Sequence, residues 1–423
     1  MALLFLAFGS TGWASFSGQL KSSTDFYPIH LGDATDDLVP YLVLDLSGKH
    51  RFSKTFRFQA KGLALTNFES DTSPEKAYAD LQEGFFELKL DSLKLRAGMN
   101  TFNWGVVDLS SPSDVVNSST LFHPLRTFKR GAPTVEAEWQ QDWLGLHLIY
   151  IPRQVPSKLP SLDSRWLPRE ILLNIQSQEG RIILPSLLEY QYGPAITLDH
   201  ALDHNFGARV SSHLGSVDLY LSHFDGAAPS PKLYPTVLEL DFGGTSDEFI
   251  ARSPITLSAI NYRTRTSGLG LVWARESWIY RLETAYSHTR SDDPALQPWS
   301  WASVLAVETG LNVGTRTVML LGQYYHTENP QDPDNLISSS YRLFDRTVVL
   351  GARWPATDDL TFTTSALIET QSQGLFWMLS FESKLTDSLK WGAGWRDFSA
   401  REEGLIKTFE RNDHATMDLI YYF

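Results

Sequence analysis

The chain has 423 residues and no cysteine; 42% of its residues are hydrophobic, 13% aromatic and 20% charged, and its formal charge is −13. Lack of cysteine excludes disulfides, thiolate nucleophiles and zinc–thiolate centres, and the acidic balance excludes nucleic acid as a partner. No His/Asp/Glu group has the spacing of a metal site, no P-loop or dinucleotide fingerprint occurs, and no cofactor is expected.

Residues 1–14 are apolar from Ala2 to Phe8, then small through Gly9, Ser10, Thr11 and Gly12, with Gly12 and Ala14 placed as the small residues before a cleavage site. That is the back half of a secretory signal peptide without its charged start. Residues 15–423 read as a single domain. No later stretch has the 18 or so uninterrupted apolar residues of a membrane helix.

From there the chain falls into segments with period-two alternation, the mark of strands with one apolar face. Phe16–Phe26, Val39–Lys49 and Ser53–Thr66 come first. In Leu81–Leu90, Phe86, Leu88 and Leu90 oppose Glu87 and Lys89; in Leu93–Thr101, Leu95, Ala97 and Met99 oppose Lys94, Arg96 and Asn100. An excursion over 102–133 precedes Thr134–Gln140, where Val135, Ala137 and Trp139 oppose Glu136, Glu138 and Gln140, and then Trp143–Ile151. The longest excursion, 152–201, leads to Asn205–His213 and Val217–Phe224. Ile255–Arg263 is strand-like, and the pattern leaves open whether it belongs to the main sheet. Leu269–Ala274, Trp278–His288, Trp299–Asn312, Thr315–Thr327, Arg346–Trp354, Leu360–Glu369, Leu375–Leu385 and Leu389–Phe398 follow in pairs. The last segment, His414–Phe423, puts Ala415, Met417, Leu419, Tyr421 and Phe423 on one face and stops on phenylalanine.

Every second connection is short: 50–52, 91–92, 141–142, 214–216, 275–277, 313–314, 355–359 and 386–388. Those between are mostly long. Strands crossing lipid must satisfy every backbone group within a sheet, so the sheet must close, and short turns at one end with long loops at the other are the asymmetry of such barrels. The expected fold is all-β: a transmembrane antiparallel up-and-down β-barrel of about eighteen strands, with sixteen the alternative count. Both termini are expected in the periplasm, with long extracellular loops, one or more folded inward.

The polar strand faces then define a lumen. Its cations are Arg57, Lys61, Lys89, Lys94 and Arg96 early in the chain, then Arg209, Arg281, Arg353, Lys390 and Arg396; its acids are Glu87, Glu136, Glu138, Asp218, Glu283, Glu308, Glu369, Glu382 and Asp418. The early cluster has two readings: a basic pore wall that attracts anions, or a ladder of cross-strand ion pairs with Glu87 and Glu136. Lys390 and Arg396, on a late strand, are expected across the lumen from it. In the 152–201 excursion, Arg165, Trp166, Arg169 and the apolar run Ile171, Leu172, Leu173 suit a lid or plug helix over the mouth, or a surface loop that binds a partner. For catalysis, the best arrangement on offer is Ser287 and His288 with Asp292 and Asp293, and it lacks the sequence context of a barrel hydrolase; no enzyme is expected.

Two stretches carry a resemblance. The closing strand His414–Phe423 resembles the terminal strand of bacterial outer-membrane β-barrels, whose final Phe is read by the barrel-assembly machinery. The run from Arg96 and Gly98 through Asn103, Trp104, Gly105 and Asp108 to Asp114, Val115, Val116 and Asn117 resembles the strand and inward loop of uncharacterised porin-like outer-membrane families. It implies a constriction with Asp108, Asp114, Arg126, Lys129 and Arg130 as its charges; the alternative is a surface loop with a helical turn capped by Ser113 or Asp114. The resemblance implies an outer-membrane channel for passive or substrate-selective diffusion of small polar or anionic solutes. A non-conducting barrel that serves as scaffold, surface or secretion component is the alternative. Expected partners are outer-membrane lipid and lipopolysaccharide, small solutes and, as a homo-oligomer, a second copy.

Overall fold

In the computed structural model, the structure describes residues 14–30, 37–67, 77–162, 164–167, 175–177, 180–183, 189–237, 240–242, 248–252, 254–293, 296–329, 346–401 and 405–423. Of the leader expected over 1–14, only Ala14 is among them, as the first residue of a strand.

The main sheet has 18 strands. They are β1 (Ala14–Phe26), β2 (Leu38–Arg51), β3 (Phe56–Asn67), β4 (Tyr78–Leu90), β5 (Leu93–Asn100), β6 (Ala132–Gln140), β7 (Leu144–Arg153), β8 (Asp203–Leu214) and β9 (Val217–Ala227). The second half comprises β10 (Arg263–Arg275), β11 (Trp278–Thr289), β12 (Trp299–Val313), β13 (Arg316–Glu328), β14 (Thr347–Pro355), β15 (Leu360–Glu369), β16 (Gly374–Lys384), β17 (Leu389–Ala400) and β18 (His414–Tyr422). Each pairs antiparallel with its sequence neighbours, and β18 pairs back onto β1 from Gln19↔Tyr422 to Phe26↔Ala415. The sheet therefore closes, which leaves no edge to satisfy in lipid. Ile255–Asn261 stays outside it, at the centre of a small mixed sheet with Tyr190–Tyr192, Ile196–Thr197 and Lys232–Val237. Tyr262 separates it from Arg263, which starts β10, so one strand-like stretch in sequence divides between two sheets.

The burial pattern is that of a soluble protein turned inside out. Leu88, Leu95, Val135, Leu148, Leu221, Leu305, Leu350 and Met417 are exposed, while Asp25, Glu87, Glu136, Asn205 and Glu283 are buried. Apolar residues face lipid and polar ones face each other inside. Aromatic pairs cluster where strands meet the short turns: Phe52 with Phe56 at 5.2 Å, Trp273 with Tyr280 at 5.2 Å, Trp354 with Phe362 at 5.9 Å and Phe381 with Trp391 at 5.0 Å between ring centroids. These amphipathic rings suit the level of lipid headgroups. The terminal residue belongs to this band. Phe423 exchanges backbone hydrogen bonds with Gly18 at 2.9 and 3.0 Å, and a Cβ at Gly18 would meet the Phe423 ring at 2.7 Å. Glycine there is what lets the last side chain lie flat on the closing seam.

Candidate functional site: the loop-filled lumen

The 101–131 segment leaves β5 and turns into the barrel. Asn117 ties its neck: its side chain accepts from the Phe102 N–H at 2.7 Å and donates to the carbonyls of Asn100 at 3.1 Å and Arg130 at 2.9 Å. Phe102, Trp104 and Val116 then pack on Ile149, Ile151 and Phe224 of the β7–β9 wall. A Cβ at Gly207 on β8 would meet the Trp104 ring at 2.6 Å, so the missing side chain makes room for the loop.

The far end of the loop is pinned to Glu283 on β11. This wholly buried carboxylate accepts from the N–H groups of Val106 at 2.8 Å, Val107 at 3.3 Å and Ser113 at 2.8 Å, and from the Ser111 hydroxyl. Ser110 N–H reaches the Tyr325 hydroxyl on β13 at 3.3 Å. Beside this anchor, Val107 enters an apolar cluster with Val304, Ala306, Tyr325, Val349 and Leu367 from β12–β15. The loop crosses the lumen. The alternative, a surface loop with a helical turn beginning at Ser113 or Asp114, is not what forms: Ser113 lies in a tight turn closed by the Asp114 N–H donating to the Ser111 carbonyl at 3.2 Å.

The loop returns along β1–β4. Phe122 packs with Tyr41, Val43, Leu63 and Tyr78. Arg126 pairs with Asp25 of β1 at 2.5 Å and lies 4.1 Å from the Tyr41 ring centroid. The His123 ring packs at a tilt against Trp166, 4.2 Å between centroids, and Trp166 also packs on Phe398, Phe409 and His414. Arg165 stacks on Tyr27 at 4.1 Å and donates to the Ile29 carbonyl at 2.6 Å. Trp166 thus packs against the returning loop at His123, and Arg165 against Tyr27 and Ile29 just past β1. Among the described residues no helix occurs between 152 and 201. Arg169 and Ile171–Leu173 lie outside the described residues.

The charged residues singled out from sequence do not form one ring. On β3–β6 the ladder reading is realised: Arg57 meets Glu87 at 2.7 Å, Arg96 meets Glu87, Glu138 and Glu136 at 2.7, 3.0 and 3.4 Å, and Lys94 meets Glu138 at 2.7 Å. Lys61 pairs with Asp45 at 3.4 Å. Of the loop charges, Lys129 pairs with Asp114, Asp108 reaches Arg281 at 3.5 Å, and Arg130 lies 3.9 Å from Asp80. Arg126 alone of the five lines a cavity against β1–β3. Lys390, paired with Glu382 at 2.8 Å, and Arg396, donating to Thr416 and to His414 at 3.1 Å, are not across the lumen from the early basic cluster. Closure of β18 onto β1 puts β17 four strands from β3, in the adjoining sector. Ser287 and His288 fall on opposite faces of β11: the Ser287 hydroxyl lies 2.8 Å from the Thr266 hydroxyl, and the neighbouring His288 points the other way.

The structure also assembles a group that spacing in sequence does not reveal. Asp25, His123 and His414 bring one potential ligand atom each within 4.8 Å of one another, all buried. Their donor set does not suit a cation. Asp25 accepts from Arg126 and from Thr416 at 2.8 Å; His414 donates from Nδ1 to the Asn412 carbonyl at 2.7 Å, which leaves Nε2 as the acceptor facing Arg396. His123 accepts at Nδ1 from the Leu125 N–H at 3.1 Å, so its neutral ring carries the proton on Nε2.

Two cavities line this side of the lumen. One, of about 250 Å³, is bounded by Gln19, Lys21, Tyr27, Tyr41, Phe122, His123, Arg126 and Trp166. The other, of about 320 Å³, is bounded by Arg353, Thr363, Ser380, Glu382, Arg396, Thr416 and Asp418. Lys21 lines the first and Asp418 the second, and those two side chains are 3.0 Å apart. The two cavities thus lie on either side of the β18–β1 seam, the first largely apolar and the second more polar.

No family model matches the chain, and no curated protein matches it. Among solved structures it is similar to an outer-membrane protein of Vibrio cholerae, OmpT with loop L8 deleted, at 9% identity and a TM-score of 0.44, with 98% of this chain and 100% of that one covered. It is also similar to a mutant of the porin of Rh. blastica at 13% identity and a TM-score of 0.45, with 97% and 100% covered. The barrel rests on its own strand pairing and its lipid-facing apolar surface. By those features this chain is a closed, membrane-spanning β-barrel of 18 antiparallel strands.

Proposed function

We propose that the protein is a substrate-selective channel of a bacterial outer membrane, with both termini in the periplasm. Small polar or anionic solutes pass between the inward loop and the β1–β3 wall. One observation supports this reading: two cavities lie beside the inward loop on either side of the β18–β1 seam, with the Lys21–Asp418 ion pair between them. Arg57, Lys61, Lys94 and Arg96 are held by acids, so they brace the wall and offer little net field. Selectivity then belongs to the residues around Arg126.

The second reading, a barrel that does not conduct, draws on the apolar clusters that seal the loop against β7–β9 and β12–β15. Planar-bilayer recording of refolded protein separates the two. Steady openings support the channel; a folded protein that stays silent supports the scaffold.

A further inference from the structure

The outer face of the barrel carries a charged patch at the long-loop end. Gly207 on β8 faces the lumen, since a Cβ there would meet the Trp104 ring. Its neighbours Phe206 and Ala208 therefore face outward, and so do their cross-strand partners on β9, Asp225 and His223. Arg265 on β10 continues the row opposite Asp225. Three arginines converge on that one carboxylate: Arg263 at 2.5 Å, Arg265 at 2.9 Å and Arg290 at 3.6 Å. Asp203 pairs instead with Arg153 at 3.9 Å. Among the described residues, Asp292 and Asp293 on the loop after Arg290 pair with none of the three. Two positive charges are left over.

That excess is accessible. Arg263 is fully used, because it also donates to the carbonyls of Asp203 and His204, both at 2.8 Å. Arg265 and Arg290 are not, and their side chains are 52% and 43% exposed. Arg265 gives its Nε to Asp225 at 2.9 Å and keeps both Nη groups, and Arg290 lies beyond hydrogen-bond reach of that carboxylate.

An apolar furrow of about 890 Å³ ends at this patch. It runs over the outer wall from Phe56 and Phe86, near the short turns, past the small side chains of Ala137 and Ala208 to Phe206 and Asp225. The patch stands at headgroup height, because Tyr150 packs on Phe206 at 4.9 Å and Tyr286 on Trp299 at 6.4 Å beside it, and such rings gather at membrane interfaces. Exposed guanidinium groups at the end of an apolar furrow match a molecule with an anionic head and a hydrocarbon chain.

We infer that Arg265 and Arg290 hold a phosphate monoester of the lipid anchor of lipopolysaccharide, with one of its acyl chains in the furrow. This rests on the outer-membrane reading above, which puts the long loops and this patch in the outer leaflet. A phosphate monoester carries about −1.5 to −2 charges at neutral pH, which matches the two charges left over, and the guanidinium fork suits its oxygens.

Refolded full-length protein in detergent is titrated with diphosphoryl lipid A and, separately, with its dephosphorylated form, and bound lipid is measured by native mass spectrometry. The phosphorylated form is expected to bind at least about tenfold tighter. The double variant Arg265→Gln with Arg290→Gln loses about tenfold, and Ala137→Trp, which fills the furrow, also weakens binding. Arg275→Gln at the short-turn end leaves it unchanged. Heat-modifiable migration in gels shows that each variant is folded. Equal binding of the two lipid forms, or undiminished binding by the folded double variant or by folded Ala137→Trp, overturns the site. Displacement of the lipid by millimolar inorganic phosphate does so too, since the patch would then be a site for free phosphate. Bilayer recording of the same samples keeps the two readings separate. Openings without lipid binding leave the channel and remove the site, whereas lipid binding without openings does the reverse.

Discussion

The two ends of the inward loop are attached by opposite means. At β11, Glu283 is wholly buried, and every hydrogen bond it accepts comes from the loop. At β1, Asp25 is equally buried, yet the loop residues around it, His123 and Arg126, keep donors unmatched beside a cavity. One attachment is finished and rigid. The other leaves His123 Nε2 and Arg126 Nη1 buried without a hydrogen-bond partner. The fixed point is Glu283 on β11 and the receptive end, with its unmatched donors, lies against Asp25 on β1, so the two are different residues on different walls.

Glu283→Ala should produce the largest effect. It removes the acceptor for three loop N–H groups and one hydroxyl, a loss of roughly 3–5 kcal/mol once buried donors are stranded. Thermal unfolding followed by gel mobility reads the stability, and flickering current reads the freed loop. If the variant is as stable and as quiet as the parent, the fixed point lies elsewhere. Gly207→Val tests the same half more mildly. A side chain there runs into Trp104, with an expected cost of about 1–3 kcal/mol from overpacking and a shift of the loop away from β8. An unchanged melting temperature would mean that the wall yields at this point.

The receptive end should respond to acid. His123 has a folded-state pKa depressed by burial, with Asp25, His414 and Arg396 as the charged and titratable groups that face it. Its contribution to stability is therefore complete above about pH 6.5, and it is lost as pH falls below that, toward the folded-state pKa, because only the unfolded chain takes up the proton. The slope is at most about 1.4 kcal/mol per pH unit. Hydrogen exchange of 120–128 amides should accelerate over that window in the parent and lose this dependence in His123→Phe. The smallest effect belongs to the ladder. Lys94 and Glu138 are both partly exposed, so Lys94→Gln should cost less than about 1 kcal/mol, measured by the same thermal assay.

Much of this barrel was legible in the sequence because lipid imposes a rule on every strand. Alternation is plain in Phe86–Leu90 and in Ala415–Leu419, with Ile420 as an exception in the last strand, and short turns such as Asp91-Ser92 pin the register on either side. The inward loop was also legible, from Trp104, Asp108 and Asn117. Partners were not. Glu283 lies 177 residues from Val106, and nothing local marks it as an anchor. Arg396 was misplaced because a linear list of strands hides the closure that makes last and first neighbours. The rule itself relaxes where the loop packs: Val304, Leu305, Ala306 and Val307 form an unbroken apolar run, since the inner face meets Val107 instead of water. The cluster of Asp25, His123 and His414 joins the first strand, a loop and the last strand, a meeting no spacing predicts.

The most direct test of the account is the ion selectivity of refolded protein in a planar bilayer under a salt gradient, comparing Arg126→Gln with Lys94→Gln. Steady openings are expected, with a reversal potential that moves toward cation preference in Arg126→Gln and stays in place in Lys94→Gln. A reversal potential that follows Lys94 and ignores Arg126 would contradict the account, and so would a folded protein that never opens.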